Sequence, residues 1–269
     1  MTIKAQNVKT QNLKVAHFKA DSRLIAEVRP AANVESRRGV KGPSLLIFHY
    51  TGMSSAAKAI DWLAREESRV SCHYVIDEGG RITQMVPEKL RAWHAGQSFW
   101  RGETDINSHS IGVEIQNPGH EHGYPDFPVA QMRAVIGLSR DIVKRHAMNP
   151  AGVLAHSDIA PQRKIDPGEK FKWADLAEHG LGQWVRASPL RAGDEGLSVG
   201  SKSDVVLAVQ KQLAAYGYDV SPTGELDVKT SHVVRAFQLH FRPRRVDGRI
   251  DRSTCLTLEN LLRAAGCGY

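Results

Sequence analysis

Cysteine is scarce in this chain: Cys72, Cys255 and Cys267 are the only three in 269 residues. An odd count at wide spacing excludes a disulfide framework and a CxxC metal site. Packing is the expected role of Cys72 and Cys255, while Cys267 falls in the terminal tail. No run approaches the roughly 18 apolar residues of a membrane span. The opening Met1-Thr-Ile-Lys-Ala-Gln-Asn-Val-Lys-Thr has basic residues but no apolar stretch of the secretory type. The expected compartment is therefore the cytoplasm, with the periplasm or cell envelope as the alternative if a leader has been removed. Long basic runs are missing too. The net charge is +7, and residues 190–269 carry 11 Lys/Arg against 9 Asp/Glu, leaving +5 for the first 189. The densest basic cluster, Arg242-Pro-Arg-Arg245, is too short to argue for nucleic acid. Such mild basicity suits an anionic polymer.

The length suits one sizeable domain with a small one after it, and 41% hydrophobic residues are ample for a core. The first thirty residues are polar and weakly patterned, as in an extended arm. Ser44-Leu-Leu-Ile-Phe-His-Tyr-Thr51 then reads as a buried central strand whose apolar run ends on His49. Ser54 or Ser55 can cap a helix over 56–64. Residues 73–86 form a hairpin around Gly79-Gly80. Ala92-Trp-His-Ala-Gly-Gln-Ser-Phe-Trp100 is a loop with two tryptophans and a histidine, suited to sugar or peptide contact or to packing. Ser110-Ile-Gly-Val-Glu-Ile-Gln-Asn117 alternates, so Ile111, Val113 and Ile115 face one side while Gly112, Glu114 and Gln116 face the other. An unpartnered carboxylate between β-branched neighbours is costly, so Glu114 has a partner or lines a cleft. An amphipathic helix covers 128–147, and a shorter one lies around Trp173-Ala-Asp-Leu-Ala177.

Composition shifts over 186–200, which reads as a linker. Beyond it Thr223-Gly-Glu-Leu-Asp-Val-Lys-Thr230 and Asp247-Gly-Arg-Ile-Asp-Arg-Ser-Thr254 repeat one pattern. In each a glycine turn leads to Asp-x-x-Thr, and the Asp can cap the helix that follows. With a helix over 205–216 this gives a small three-helix bundle.

The most polar and most rigidly punctuated stretch is His156-Ser-Asp-Ile-Ala-Pro-Gln-Arg-Lys-Ile-Asp166-Pro-Gly168. Proline and glycine fix its backbone without a helix or a strand, and it gathers a histidine, a lysine and two aspartates. A catalytic zinc site needs three N, O or S ligands and an open fourth position. His156 and Asp166 would leave one ligand to find. A solvated loop whose histidine caps a neighbour is the competing reading of these residues alone.

Taken together, His49 at a strand end, Ser110-Ile-Gly-Val-Glu114, and His156-x7-Lys164-x-Asp166-Pro-Gly168 resemble the zinc-dependent N-acetylmuramoyl-L-alanine amidases. This is the type 2 amidase fold, shared with peptidoglycan recognition proteins and phage T7-type lysozyme. The resemblance runs over about 44–181 and is closer to the two-domain AmiD branch than to the single-domain AmpD branch. From about residue 198 the chain resembles a three-helix peptidoglycan-binding domain, through Val209-Gln-Lys-Gln-Leu213, Tyr216-Gly-Tyr218 and Ala236-Phe-Gln238. Thr223-Gly224 departs from the commoner Asp-Gly of that pattern. The resemblance implies an α/β fold, a mixed central sheet flanked by helices, in a catalytic domain of residues 1–189. A wall-binding domain of residues 190–269 would follow.

It further implies one zinc per chain on His49, His156 and Asp166, with Glu114 as general base and acid and Lys164 beside the developing oxyanion. Trp93, His94, Asn107 and Asn117 would line the substrate groove. The implied partner is peptidoglycan or a muropeptide, and the bond cut joins the lactyl group of N-acetylmuramic acid to L-alanine. His73, His109, His120, His122 and His146 are expected to be structural or surface residues. Two alternatives stand beside this reading: a non-catalytic recognition module, and a zinc peptidase, which no His-Glu-x-x-His run supports. Removing residues 190–269 is expected to leave activity on soluble muropeptides while lowering sedimentation with sacculi.

Overall fold

The computed structural model describes residue 13 and residues 15–266; the start of the N-terminal arm and Cys267 lie outside the described residues. The strands are β1 (Glu27–Val28), β2 (Val34–Ser36), β3 (Leu45–Tyr50), β4 (Tyr74–Ile76), β5 (Ile82–Gln84), β6 (Leu90–Ala92), β7 (Ser110–Ile115) and β8 (Val153–Ala155). Six of them make a mixed sheet in the order β1-β5-β4-β7-β3-β8, antiparallel only between β4 and β5. β2 and β6 pair separately as an antiparallel ribbon. The helices are α1 (Ala56–Ala64), α2 (Ile106–His109), α3 (Val129–His146), α4 (His156–Ile159), α5 (Trp173–Glu178), α6 (Asp204–Tyr216), α7 (Val228–Phe241) and α8 (Arg252–Ala264). The expected mixed α/β sheet with flanking helices is the observed one.

β3 is flanked by β7 and β8, so its apolar run is buried on both faces, as parallel central strands require. Leu46 and Phe48, with Ile111, Val113 and Ile115 of β7, pack against Met132, Val135, Leu138 and Ile142 of α3 and against Phe171 and Trp173. The opposite face then carries Ile47, His49, Gly112 and Glu114, and the register sets His49 directly opposite Glu114. The described part of the N-terminal arm is tied down. β1 extends the sheet edge, and the Asp21 carboxylate accepts hydrogen bonds from Gln84 Nε2 and the Glu88 backbone N–H.

In the C-terminal bundle Ser203, Asp227 and Asp251 cap α6, α7 and α8. The sequence repeat has a physical counterpart. Gln210 accepts from Gly224 N and donates to Glu225 O and Thr230 Oγ1; Gln238 makes the same bonds to Gly248 N, Arg249 O and Thr254 Oγ1. Each buried glutamine thus closes one glycine turn onto the helix it precedes. Two arginines of the basic cluster prove structural. Arg242 is buried 3.1 Å from Asp251, and Arg245 pairs with the same carboxylate.

The bundle is not a bead on a linker. Ile47, Trp100, Leu154, Ile159 and Ala160 share one continuous apolar cluster with Val206, Phe237 and Phe241. The Trp100 ring meets Tyr216 and Tyr218 edge-on at 5.7 and 5.1 Å. Among the described residues no helix is long and apolar enough to cross a membrane.

Candidate metal and catalytic site

Three elements converge at the C-terminal end of the parallel strands. His49 is the penultimate residue of β3. Ala155 of β8 pairs with Phe48, so His156, the next residue, emerges beside His49. Asp166 returns to them because the loop folds back: Ser157 N–H donates to Asp166 O, and Arg163 and Lys164 N–H donate to Ala160 O. The Tyr124 hydroxyl then holds Pro167 O at 2.7 Å. Gly168, at φ +86°, lies so close under Tyr124 that a side chain would have no room.

The ligand atoms lie within one coordination sphere's reach. His49 Nδ1 and His156 Nδ1 are 2.8 Å apart, and Asp166 Oδ2 is 3.3 Å and 3.0 Å from them. All three residues are buried. Proton placement decides what this means. Ser110 Oγ donates to Ile106 O at 2.6 Å, so toward His94 Nε2, 3.0 Å away, it can only accept. Burial and the neighbouring His49 push the His94 imidazole well below the usual histidine range, so it is neutral. Its Nδ1 is then an acceptor, and His49 Nε2–H donates to it at 2.9 Å. On the other ligand, Ala95 O faces His156 Nε2 at 3.2 Å and places a proton there. Both Nδ1 atoms are left as bare lone pairs pointing at a carboxylate. Three buried acceptors without a donor between them are costly, and a divalent cation resolves the conflict. The donor set of two imidazoles and one carboxylate fits zinc with a position to spare.

Burial, and then His156, push His49 down to about 4. Burial would raise Asp166, and the charge and hydrogen bonds of protonated imidazoles at His156 and His49 would hold the carboxyl well below the usual carboxylate range. With both Nδ1 atoms bare, a cation has to take the place of those protons. Glu114 behaves in the opposite sense: burial and then Asp166 raise it well above its ordinary value, while Lys164 pulls it back. Glu114 Oε2 has no hydrogen-bond partner. His49, Glu114, His156, Lys164 and Asp166 line one open cavity of about 680 Å³, walled also by Trp62, Trp93, His120 and Arg163.

The remaining groove expectations divide. Trp93 lines the cavity, and its indole N–H lacks a partner. His94 reaches the cavity but is spent on His49 and Ser110, and Gly112 is required because a Cβ there would overlap the His94 ring. Asn107 does not line the cavity: it is buried, and its Oδ1 accepts from the backbone N–H groups of His94 and Ala95. Asn117 does not either, since it bonds Pro125 O and Gly119 N. Missed by sequence reasoning were Ser110, which sets the His94 tautomer, and His120, which lies on the cavity wall with its ring between Tyr50 Oη and Glu169. A serine four residues after the carbonyl it bonds was the only signal for the first.

Comparison with known proteins agrees with this geometry. Residues 39–169 match the N-acetylmuramoyl-L-alanine amidase family, and residues 202–258 match a peptidoglycan binding domain. The chain belongs to the N-acetylmuramoyl-L-alanine amidases, a family of hydrolases. Within it, the Escherichia coli amidase AmiD is 38% identical over 237 residues, covering 82% of this chain and 83% of that one. The Citrobacter freundii 1,6-anhydro-N-acetylmuramyl-L-alanine amidase AmpD is 31% identical over 173 residues, which are 57% of this chain and 90% of AmpD. Among solved structures, E. coli AmiD in complex with the substrate anhydro-N-acetylmuramic acid-L-Ala-D-γ-Glu-L-Lys superposes with a TM-score of 0.72 at 35% identity, over 88% of this chain and 95% of that one. Pseudomonas aeruginosa AmpDh3 gives 0.69 at 29% identity, over 85% and 95%.

Proposed function

We propose that this amidase uses zinc, held by His49, His156 and Asp166, to hydrolyse the bond between the lactyl group of N-acetylmuramic acid and L-alanine in muropeptides or peptidoglycan. The observation that carries it is the meeting of three bare acceptors with a buried carboxylate, Glu114, whose Oε2 is unpartnered and whose affinity for a proton is raised, in one open cavity. When bound, zinc supplies Lewis acidity and draws a water's pKa toward about 7.

The rest falls to side chains. Glu114, with its raised affinity for a proton, takes one from the attacking water as the C–O bond forms. It returns that proton to the L-alanine nitrogen as the C–N bond breaks, leaving a lactyl carboxylic acid and a free stem peptide. Lys164 supplies positive charge on the side of the cavity where the carbonyl oxygen becomes negative. His94 keeps the His49 proton on Nε2 and so keeps Nδ1 free for the metal. Trp93 offers an aromatic wall and an unused N–H to the substrate. A recognition module without catalysis would lack a ligand or the base, and none is missing here.

E. coli AmiD and P. aeruginosa AmpDh3 have been solved with anhydro-muropeptides, which supports the same class of substrate here. Purified protein incubated with anhydro-muropeptides and with sacculi, with products read by mass spectrometry, tests this. Chelator-sensitive release of free stem peptide is the expected result; cleavage elsewhere, or none, contradicts it. Preference for soluble fragments would fit the cytoplasmic role expected from the sequence, and preference for sacculi would fit a role at the wall.

A further inference from the structure

Two hydrogen bonds from the helical bundle end on a carboxylate beside a proposed metal ligand. Asp158 lies two residues after His156 in α4 and is 1% exposed. Its Oδ1 accepts from the Tyr218 hydroxyl at 2.6 Å, and its Oδ2 from His240 Nδ1 at 2.7 Å. Both donors belong to the bundle and both are buried. Asp158 Oδ2 also accepts the backbone N–H of Ala155 at 2.8 Å, the residue that precedes His156. The same carboxylate therefore fixes the turn from β8 into α4 from inside and is itself fixed from the bundle.

This matters because α4 has a single turn, too short to hold its own direction. Its orientation, and with it the direction of His156, depends on such caps and on packing. His240 Nε2 has no partner, so Asp158 is the only polar anchor of that ring. The ring face stacks on Trp173 at 3.7 Å between centroids, and Trp173 packs against Phe48, the residue before His49. His240 thus touches the supports of both histidines.

We infer that Tyr218 and His240 are positioning residues of the metal centre, so that the C-terminal bundle, besides any role in wall binding, holds His156 in its coordinating direction. The inference rests on the reading of His156 as a metal ligand. It is tested on the full-length protein by zinc affinity, measured by competition with a chromogenic chelator, alongside thermal unfolding of the zinc-free form. Tyr218→Phe and His240→Leu should each weaken zinc binding about 10–100-fold, the effect usual for groups that orient a ligand. His240→Asn, which puts an amide N–H near the place of Nδ1, should restore most of that affinity. Leu258→Ala, in the bundle core away from Asp158, should lower the unfolding temperature without changing zinc affinity. Parent-like zinc affinity in Tyr218→Phe and His240→Leu overturns the inference alone. Equal weakening by Leu258→Ala overturns it as well, because general loosening then suffices. A parent protein that binds no zinc overturns it together with the proposed function.

Discussion

Asp158, in α4, and Asp166, in the loop that follows it, are both buried, but their surroundings are opposite. Asp158 meets donors from Ala155, Tyr218 and His240. Asp166 meets the lone pairs of two imidazoles. A buried carboxylate ringed by donors is satisfied and ties elements together. One ringed by acceptors is unsatisfied until a cation arrives. This stretch therefore contains a structural aspartate and a proposed ligand aspartate, told apart by what faces them rather than by residue type or depth.

The sharpest way to break this comparison is to remove each charge in turn. Asp158→Ala should destabilise the zinc-free protein by about 3–5 kcal/mol, since it leaves buried donors unpaired. Asp166→Asn should leave zinc-free stability near that of the parent, or above it, because the amide gives the bare Nδ1 atoms a donor. Its zinc affinity should fall by more than the roughly 100-fold upper range of an orienting group. Chemical denaturation and chelator competition read the two effects. Equal losses of zinc-free stability in both variants would erase the distinction.

A smaller effect is expected one step out. His94→Ala removes the acceptor that fixes the His49 tautomer, and zinc affinity should fall about 10–100-fold, or roughly 1.4–2.7 kcal/mol. The same competition assay checks it. Unchanged affinity would mean that His49 needs no partner on Nε2.

The directions of His49 and Glu114 were legible in the sequence because a strand end and alternation fix them, whereas the grouping of His49 with His156 and Asp166 as proposed ligands came only with the family resemblance. An apolar run that stops on His49, and a period-two strand with Glu114 on its polar face, leave few places for those side chains to point. Asn107 and Asn117 were not legible as loop braces. A buried amide that caps backbone N–H groups and one that faces a groove look alike in sequence. β1, β2 and β6 have two or three residues each, too few to show a period. The domain interface was hidden for a related reason. Trp100, read as a residue for sugar or peptide contact or for packing, and Tyr218, read as part of the bundle's own pattern, look the same in sequence whether they cover their own domain or a neighbour. The expectation that residues 190–269 form a removable module is revised accordingly, because Trp100, Ile159 and Asp158 find their cover in the bundle.

The most direct test of the central claim is Glu114→Ala in the full-length protein, with metal content and release of stem peptide measured on one sample. About one zinc per chain should remain, as for a three-ligand site that does not use Glu114. Turnover should fall about 10²–10⁴-fold, the contribution of a positioned proton carrier. Full turnover in that variant, or a site that no longer holds zinc, would contradict the account.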